Sequence, residues 1–131
     1  MPVKLQEYPS LDITIFDASG FLTFTDIMKG LKIFYEYPVA SPTINVLWDL
    51  RRAIIKDLSV SEIEQIVEYS RIYSTVRGGG KTAIIAPGAL ENSIALALGS
   101  QCSDLPIHVR VFDSRGQAIQ WLDEQQIKYC N

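Results

Sequence analysis

Few residues in this chain are of a type and spacing that could do chemistry: three aspartates that follow apolar runs, one glycine–lysine–threonine triplet, a single histidine, a serine ahead of a helix and two cysteines. Asp17, Asp49 and Asp113 each end such a run. Ligands of parallel sheets sit at the carboxyl edge, and clustered carboxylates there would hold Mg²⁺ for phosphoryl transfer. Three features weigh against that chemistry. Asp17 opens Asp17-Ala18-Ser19-Gly20, which has the composition of a turn, so its strand is expected to run the other way. Asp113 precedes Ser114-Arg115-Gly116-Gln117, a capping pattern. Arg51 and Arg52 stand close enough in sequence to neutralise Asp49. Gly80-Lys81-Thr82 copies the end of a phosphate-binding loop, but Thr75 holds the place of the first required glycine, and a helix leads into the triplet where a strand should. A glycine helix stop accounts for it. His108 alternates with Ile107 and Val109 on a strand, and no nucleophile elbow accompanies it. A structural histidine with a hydrogen-bonded partner is expected there, not a base for acyl transfer. Cys102 and Cys130 lack ligand partners at metal-binding spacing. The pattern calls for no catalytic set, no cofactor and no metal.

The elements that would position these groups alternate between short apolar runs and capped helices. Leu11–Phe16 and Phe21–Phe24, joined by Asp17–Gly20, read as an opening hairpin. Thr25 is placed to cap a helix with Asp26 in its first turn and Ile27, Leu31, Phe34 and Tyr35 on one face, ending at Tyr37-Pro38. Thr43–Leu50 follows as a strand whose Val46-Leu47-Trp48 centre is apolar on both faces. Ser59-Val60-Ser61-Glu62 has the form of a capping box. The helix it starts turns Val60, Ile63, Ile66, Val67, Ser70 and Ser74 inward and ends near Arg77, where Gly78-Gly79-Gly80 breaks it. A strand at Thr82–Ala86, a helix at roughly Ala89–Ser100, a strand at Ile107–Phe112 and a helix at about Ser114–Glu124 complete the order β-β-α-β-α-β-α-β-α. That order implies an α/β fold with a mixed, mostly parallel sheet and helices on both sides.

At 131 residues the chain matches one domain and leaves no room for a second. Twelve basic against fifteen acidic residues give a net charge of −3, which disfavours nucleic acid as a partner because phosphate neutralisation wants a basic face. A mean hydropathy of +0.10, strand-sized apolar runs and an N-terminus without a signal pattern point to the cytoplasm and to no stable membrane insertion.

Val46-Leu47-Trp48-Asp49-Leu50-Arg51 with the Ser-capped helix after it, Gly80-Lys81-Thr82-Ala83-Ile84-Ile85, and Val109-Arg110-Val111-Phe112 with Ala118-Ile119-Gln120-Trp121-Leu122 together resemble the SpoIIAA-like family. That family is related to the STAS domains of anti-sigma-factor antagonists and is often linked in name to a group of lipid-binding domains. The resemblance spans about Leu11 to Glu124 and implies a mixed sheet flanked by helices. In the antagonists an Asp-Ser-Ser-Gly run carries a phosphorylatable serine at the start of the helix after the central strand. The matching run here is Asp57-Leu58-Ser59-Val60, in which Asp57 and Ser59 match and Leu58 and Val60 depart. The resemblance implies Ser59 as phosphoacceptor; the capping box explains the same serine without a kinase.

Apolar surplus is the remaining functional signal. Ile94-Ala95-Leu96-Ala97-Leu98, with Leu90 one turn earlier, is apolar around most of a helix, whereas a surface helix needs one stripe. Tyr69 and Tyr73 add a second strip one turn apart on the preceding helix. Tyr69, Tyr73, Leu90, Ile94 and Leu98 are therefore the expected ligand or partner surface, to be met by more core, a second copy of the chain or a small amphiphile. The leading expectation is a non-catalytic regulatory or protein-interaction domain acting as a homodimer. A carrier or sensor of an amphiphile or lipid is the alternative, and an Mg²⁺-dependent phosphoryl-transfer enzyme using Asp49 is the third.

Overall fold

Val3-Lys4-Leu5-Gln6 alternates apolar and polar residues, the period of a strand with one buried face, and it forms β1 (Val3–Tyr8). The computed structural model describes residues 3–8, 12–36, 45–55, 58–77, 81–86, 88, 93, 95–97, 99–100 and 108–124. After β1 come β2 (Ile13–Leu22), α1 (Phe24–Glu36), β3 (Asn45–Ile55), α2 (Val60–Arg77), β4 (Lys81–Ile85), β5 (His108–Phe112) and α3 (Arg115–Asp123). Residues 93, 95–97 and 99–100, between β4 and β5, are also helical. Among the described residues five strands stand in chain order, β1-β2-β3-β4-β5. β1 is antiparallel to β2 and every other neighbour pair is parallel.

That order decides where the helices lie. Each parallel crossover steps one strand in the same direction, so crossovers of one hand must stack on one face. Ile27 and Leu31 of α1, Ile66 of α2 and helical Ala95 share a core with Phe16, Val46, Leu50 and Ile84. On the other face α3 packs Ala118 and Leu122 against Ile13, Ile15, Leu47, Ala83 and Ile85. Helices occupy both sides as the sequence implies, but unequally: α1, α2 and the helical residues around Ala95 cover one face, and α3 covers part of the other.

The antiparallel strand is not where the turn-like composition places it. β2 runs unbroken through Asp17-Ala18-Ser19-Gly20, and the hairpin partner is β1. Ala18 is fully buried while Ser19 and Gly20 are exposed. The turn-forming residues serve a register shift instead. Asp17 pairs with Asp49 and Ser19 with Arg52, so β3 holds one more residue than β2 in that interval, as in a β-bulge. Gly20, at φ +71, takes a conformation open to glycine at no steric penalty.

Capping also departs in one place. Thr23, not Thr25, caps α1: its N–H and its Oγ1 both donate to Asp26 Oδ2 (3.0 and 2.9 Å), and Asp26 N–H donates back to Thr23 Oγ1 at 3.2 Å. For α2 the expected box forms, with Ser59 N–H donating to Glu62 Oε1 at 3.0 Å and Glu62 N–H to Ser59 Oγ at 3.1 Å. Ile63, Ile66 and Val67 face inward, whereas Val60, in the first turn, is 68% exposed. Gly30 marks a close approach of α1 to the sheet. A Cβ there would sit 3.4 Å from both Phe16 and Trp48, so longer side chains would collide with that stacked pair.

Candidate functional site

Two of the three aspartates expected at strand ends, Asp17 and Asp49, lie inside β2 and β3, where they are brought together and then neutralised. Asp17 and Asp49 are direct neighbours on β2 and β3, on the face that carries α3. Asp49 is 3% exposed, a position where a lone carboxylate would be costly. The bulge in β3 supplies its partner. Arg51 N–H donates to Asp49 Oδ1 at 3.2 Å, and the Arg51 guanidinium straddles the carboxylate, with Nε 2.9 Å from Oδ1 and Nη2 2.7 Å from Oδ2. Arg115, the first residue of α3, adds a contact of 3.4 Å to Oδ2. Burial alone would raise the Asp49 pKa, but the hydrogen bonds from Arg51, then the charges of Arg51 and Arg115, overcome it and hold the carboxyl below its ordinary value. The same hydrogen bond to Asp49 raises the pKa of Arg51. Arg52 turns to Asp17, with Nη2 2.8 and 2.9 Å from its two oxygens. Asp113 is exposed beside the α3 cap, where Ser114 Oγ accepts from Gln117 N–H at 3.3 Å. Among the described residues no group of three or more His, Cys, Asp or Glu could hold a metal ion.

Lys81 is equally engaged. It is 3% exposed, and its Nζ donates to the carbonyls of Trp121 at 2.8 Å and Glu124 at 3.0 Å while lying 5.3 Å from the Trp121 ring centre. A cation at the carbonyl end of a helix satisfies groups that have no partner within the helix. Asn45 Nδ2 reaches Leu122 O at 3.4 Å, and Asn45 Oδ1 accepts Lys81 N–H at 3.0 Å. So α3 is tied to the sheet at its start by Arg115 and at its end by Lys81 and Asn45.

An apolar cavity of about 100 Å³ lies on the opposite face, between the sheet and helices α1 and α2. Phe16, Trp48, Leu31, Tyr35, Ile66 and Ala95 form much of its wall, and Ser70 and Thr82 contribute its hydroxyls. The Phe16 and Trp48 rings stack with centroids 4.1 Å apart and planes 3° apart, and Phe34 meets Phe16 edge-on at 5.6 Å. An unfilled apolar void of this size forgoes about 2 kcal/mol relative to a packed core, at roughly 24 cal/mol per Å³.

The residues expected to form a ligand or partner surface are placed unevenly. Tyr69 is half-buried against the α1–α2 core, its ring 6.0 Å from Tyr35 in the cavity wall. Leu90, Ile94, Leu98 and the side chain of Tyr73 lie outside the described residues, as do Asp57, Cys102 and Cys130. Of the apolar run they belong to, Ala95 is buried in the core and Leu96 is 58% exposed. Ser59 is exposed and engaged in the α2 cap. His108 lies on the last strand as expected, exposed at the start of β5. Phe21 and Ile54, partners across β2 and β3, are 62% and 46% exposed on the α3 side of the sheet. The sequence singles out neither: Phe21 falls in the expected second strand of the opening hairpin, and Ile54 lies beyond the expected end of β3. The period-two pattern of β3, continued past Arg51 with one residue of slip, would have found them.

No helix among the described residues is long and apolar enough to cross a membrane. No family model and no curated protein matches the chain. Among solved structures it is similar to an uncharacterized protein of the DUF3478 family with a SpoIIAA-like fold from Shewanella loihica PV-4. The identity is 18%, the TM-score 0.56, and the match covers 92% of this chain and 91% of that one.

Proposed function

From a SpoIIAA-like fold, we propose that the chain is a non-catalytic contact domain of the cytoplasm, working by association with a protein partner or a second copy of itself. The observation that carries this reading is the state of the polar groups on the sheet face that carries α3. Asp49 is enclosed by Arg51 and Arg115, Asp17 by Arg52, and the Lys81 ammonium by two helix carbonyls. Asp49, Asp17 and Lys81 are each held by a structural partner, which supports attachment and not a reacting group at these positions. Light scattering of the purified chain and size-exclusion of the chain in native extract should reveal species heavier than 14.7 kDa. A strict monomer in both settings overturns the contact reading. A rise in unfolding temperature with millimolar Mg²⁺ would instead favour phosphoryl-transfer chemistry at Asp49.

The cavity favours a second reading, in which the domain senses a small apolar group. Engineered apolar cavities of about 150 Å³ stay dry and take up benzene, so this one is suited to a ring or a short alkyl chain and not to a whole lipid. Benzene or indole is expected to raise the unfolding temperature of the native chain. Val46→Ile, which adds one methylene to the cavity wall, should stabilise the unliganded protein by about 0.8 kcal/mol and abolish that rise. A rise of equal size in the variant, or none in the native chain, rules this reading out.

A further inference from the structure

Among the described residues, α3 alone packs on its face of the sheet and covers only part of it. α3 packs against β3, β4 and β5. From Asp17 onward, β2 and the adjoining ends of β1 and β3 present side chains to solvent: Lys4, Ser19, Phe21, Arg51, Arg52 and Ile54 are all exposed. Register places them together. Lys4 is the cross-strand partner of Asp17, Ser19 of Arg52 and Phe21 of Ile54. Arg52 and Arg51 stand between the paired aspartates and the apolar pair. Among the described residues, Lys4, Arg51, Arg52 and Arg115 share this surface with Asp17 and the buried Asp49. Glu62 lies beside Phe21 and Ile54 at its far end, in a chain whose net charge is −3. The surface is therefore locally basic on an acidic protein, and it ends in two exposed apolar side chains.

We infer that this open half-face, from Lys4 and Arg52 to Phe21 and Ile54, docks an acidic amphipathic helix of a partner protein. The inference rests on the contact reading above and names its surface and the partner's chemistry. Charge complementarity selects an acidic partner. Phe21 and Ile54 supply the apolar anchors that a helix laid in a groove requires. The width fits as well. β2 and β1 lie roughly 5 and 10 Å beyond β3, and a second helix packs about 8–10 Å from a first, so the strip beside α3 is one helix wide.

The test is a titration of isotope-labelled chain with a synthetic helical peptide bearing leucine on one face and glutamate on the other, followed by amide chemical shifts. Shifts centred on residues 19–21 and 51–54 are expected. Arg52→Glu and Ile54→Asp should each weaken binding at least about tenfold, and high salt should weaken it too. Arg52→Glu gives up the pair with Asp17 and should stay folded with a slightly lower unfolding midpoint. Ile54 is exposed, so Ile54→Asp should keep the native midpoint. If Ile54→Asp does not, Phe21→Ser and Arg52→Glu decide the matter. A lysine-for-glutamate peptide that binds as well overturns the inference, as do shifts centred elsewhere. Binding to phosphatidylserine vesicles without binding to the peptide assigns the face to a membrane, and an Ile54→Asp variant that turns a dimer into a monomer assigns it to a second copy; either result overturns it. A chain that forms heavier species in extract but shows no shifts here loses this surface and keeps the contact reading.

Discussion

Replacing Arg51 by methionine is expected to destabilise the fold by about 2 kcal/mol at neutral pH, less than breaking a fully buried pair would, because Arg51 itself is 44% exposed. Methionine keeps the length of the side chain but removes three donor contacts from a carboxylate that is 3% exposed. The Arg51 N–H survives as a donor and Arg115 remains 3.4 Å away, which keeps the loss from being larger. The pH dependence identifies the cause. The folded Asp49 pKa lies below its ordinary value of 3.8. Its contribution to stability is therefore complete above the unfolded value and is lost as acid carries the pH down through the folded one. Protonated Asp49 needs no guanidinium, so the gap between native and variant should narrow in acid. Urea unfolding of both proteins at neutral pH and below pH 3.8 measures this. A gap that is the same at both, or under about 0.5 kcal/mol at neutral pH, rules the account out. Arg52→Met is the control. Its pair with Asp17 is 70% and 17% exposed, and surface pairs of this kind contribute about 0.2–1 kcal/mol.

Lys81→Met should cost about 2 kcal/mol and loosen the end of α3. Two carbonyls lose a charged donor within 3.0 Å, and orphaned buried acceptors cost about 1–3 kcal/mol each. The Trp121 carbonyl also accepts Glu124 N–H at 3.3 Å, which limits its share. The expected signature is local: faster amide exchange in the last turn of α3 and altered Trp121 fluorescence, with α1 and α2 protected as before. Uniformly faster exchange, or none, would show that Lys81 does not fasten that helix.

What could be read from the residues follows the range of the interactions involved. The Ser59–Glu62 box and the end of α2 at Arg77 are local events, fixed within one turn, and both form as expected. The stripe Ile27, Leu31, Phe34, Tyr35 likewise faces the core. Asp17–Gly20 misled because turn-type residues also suit a bulge, and only the neighbouring strand reveals which is meant. The alternation of Val3 and Leu5 is too short, and too interrupted by Lys4, Gln6 and Glu7, to stand out as an apolar run. In the charged cluster, Arg51 could be foreseen two residues from Asp49, whereas Arg115 arrives from 66 residues away and Lys81 acts on carbonyls, which no side-chain pattern announces. The cavity is a volume left by several elements together, so no segment carries its mark.

The strand order has a consequence for synthesis. Because β1 to β5 lie side by side in the order in which they are translated, each new strand has a finished edge waiting for it, and none must be threaded between two already paired. The order therefore lets the sheet be completed from one margin without threading, with α3 fastened across it to residues on β3 and β4.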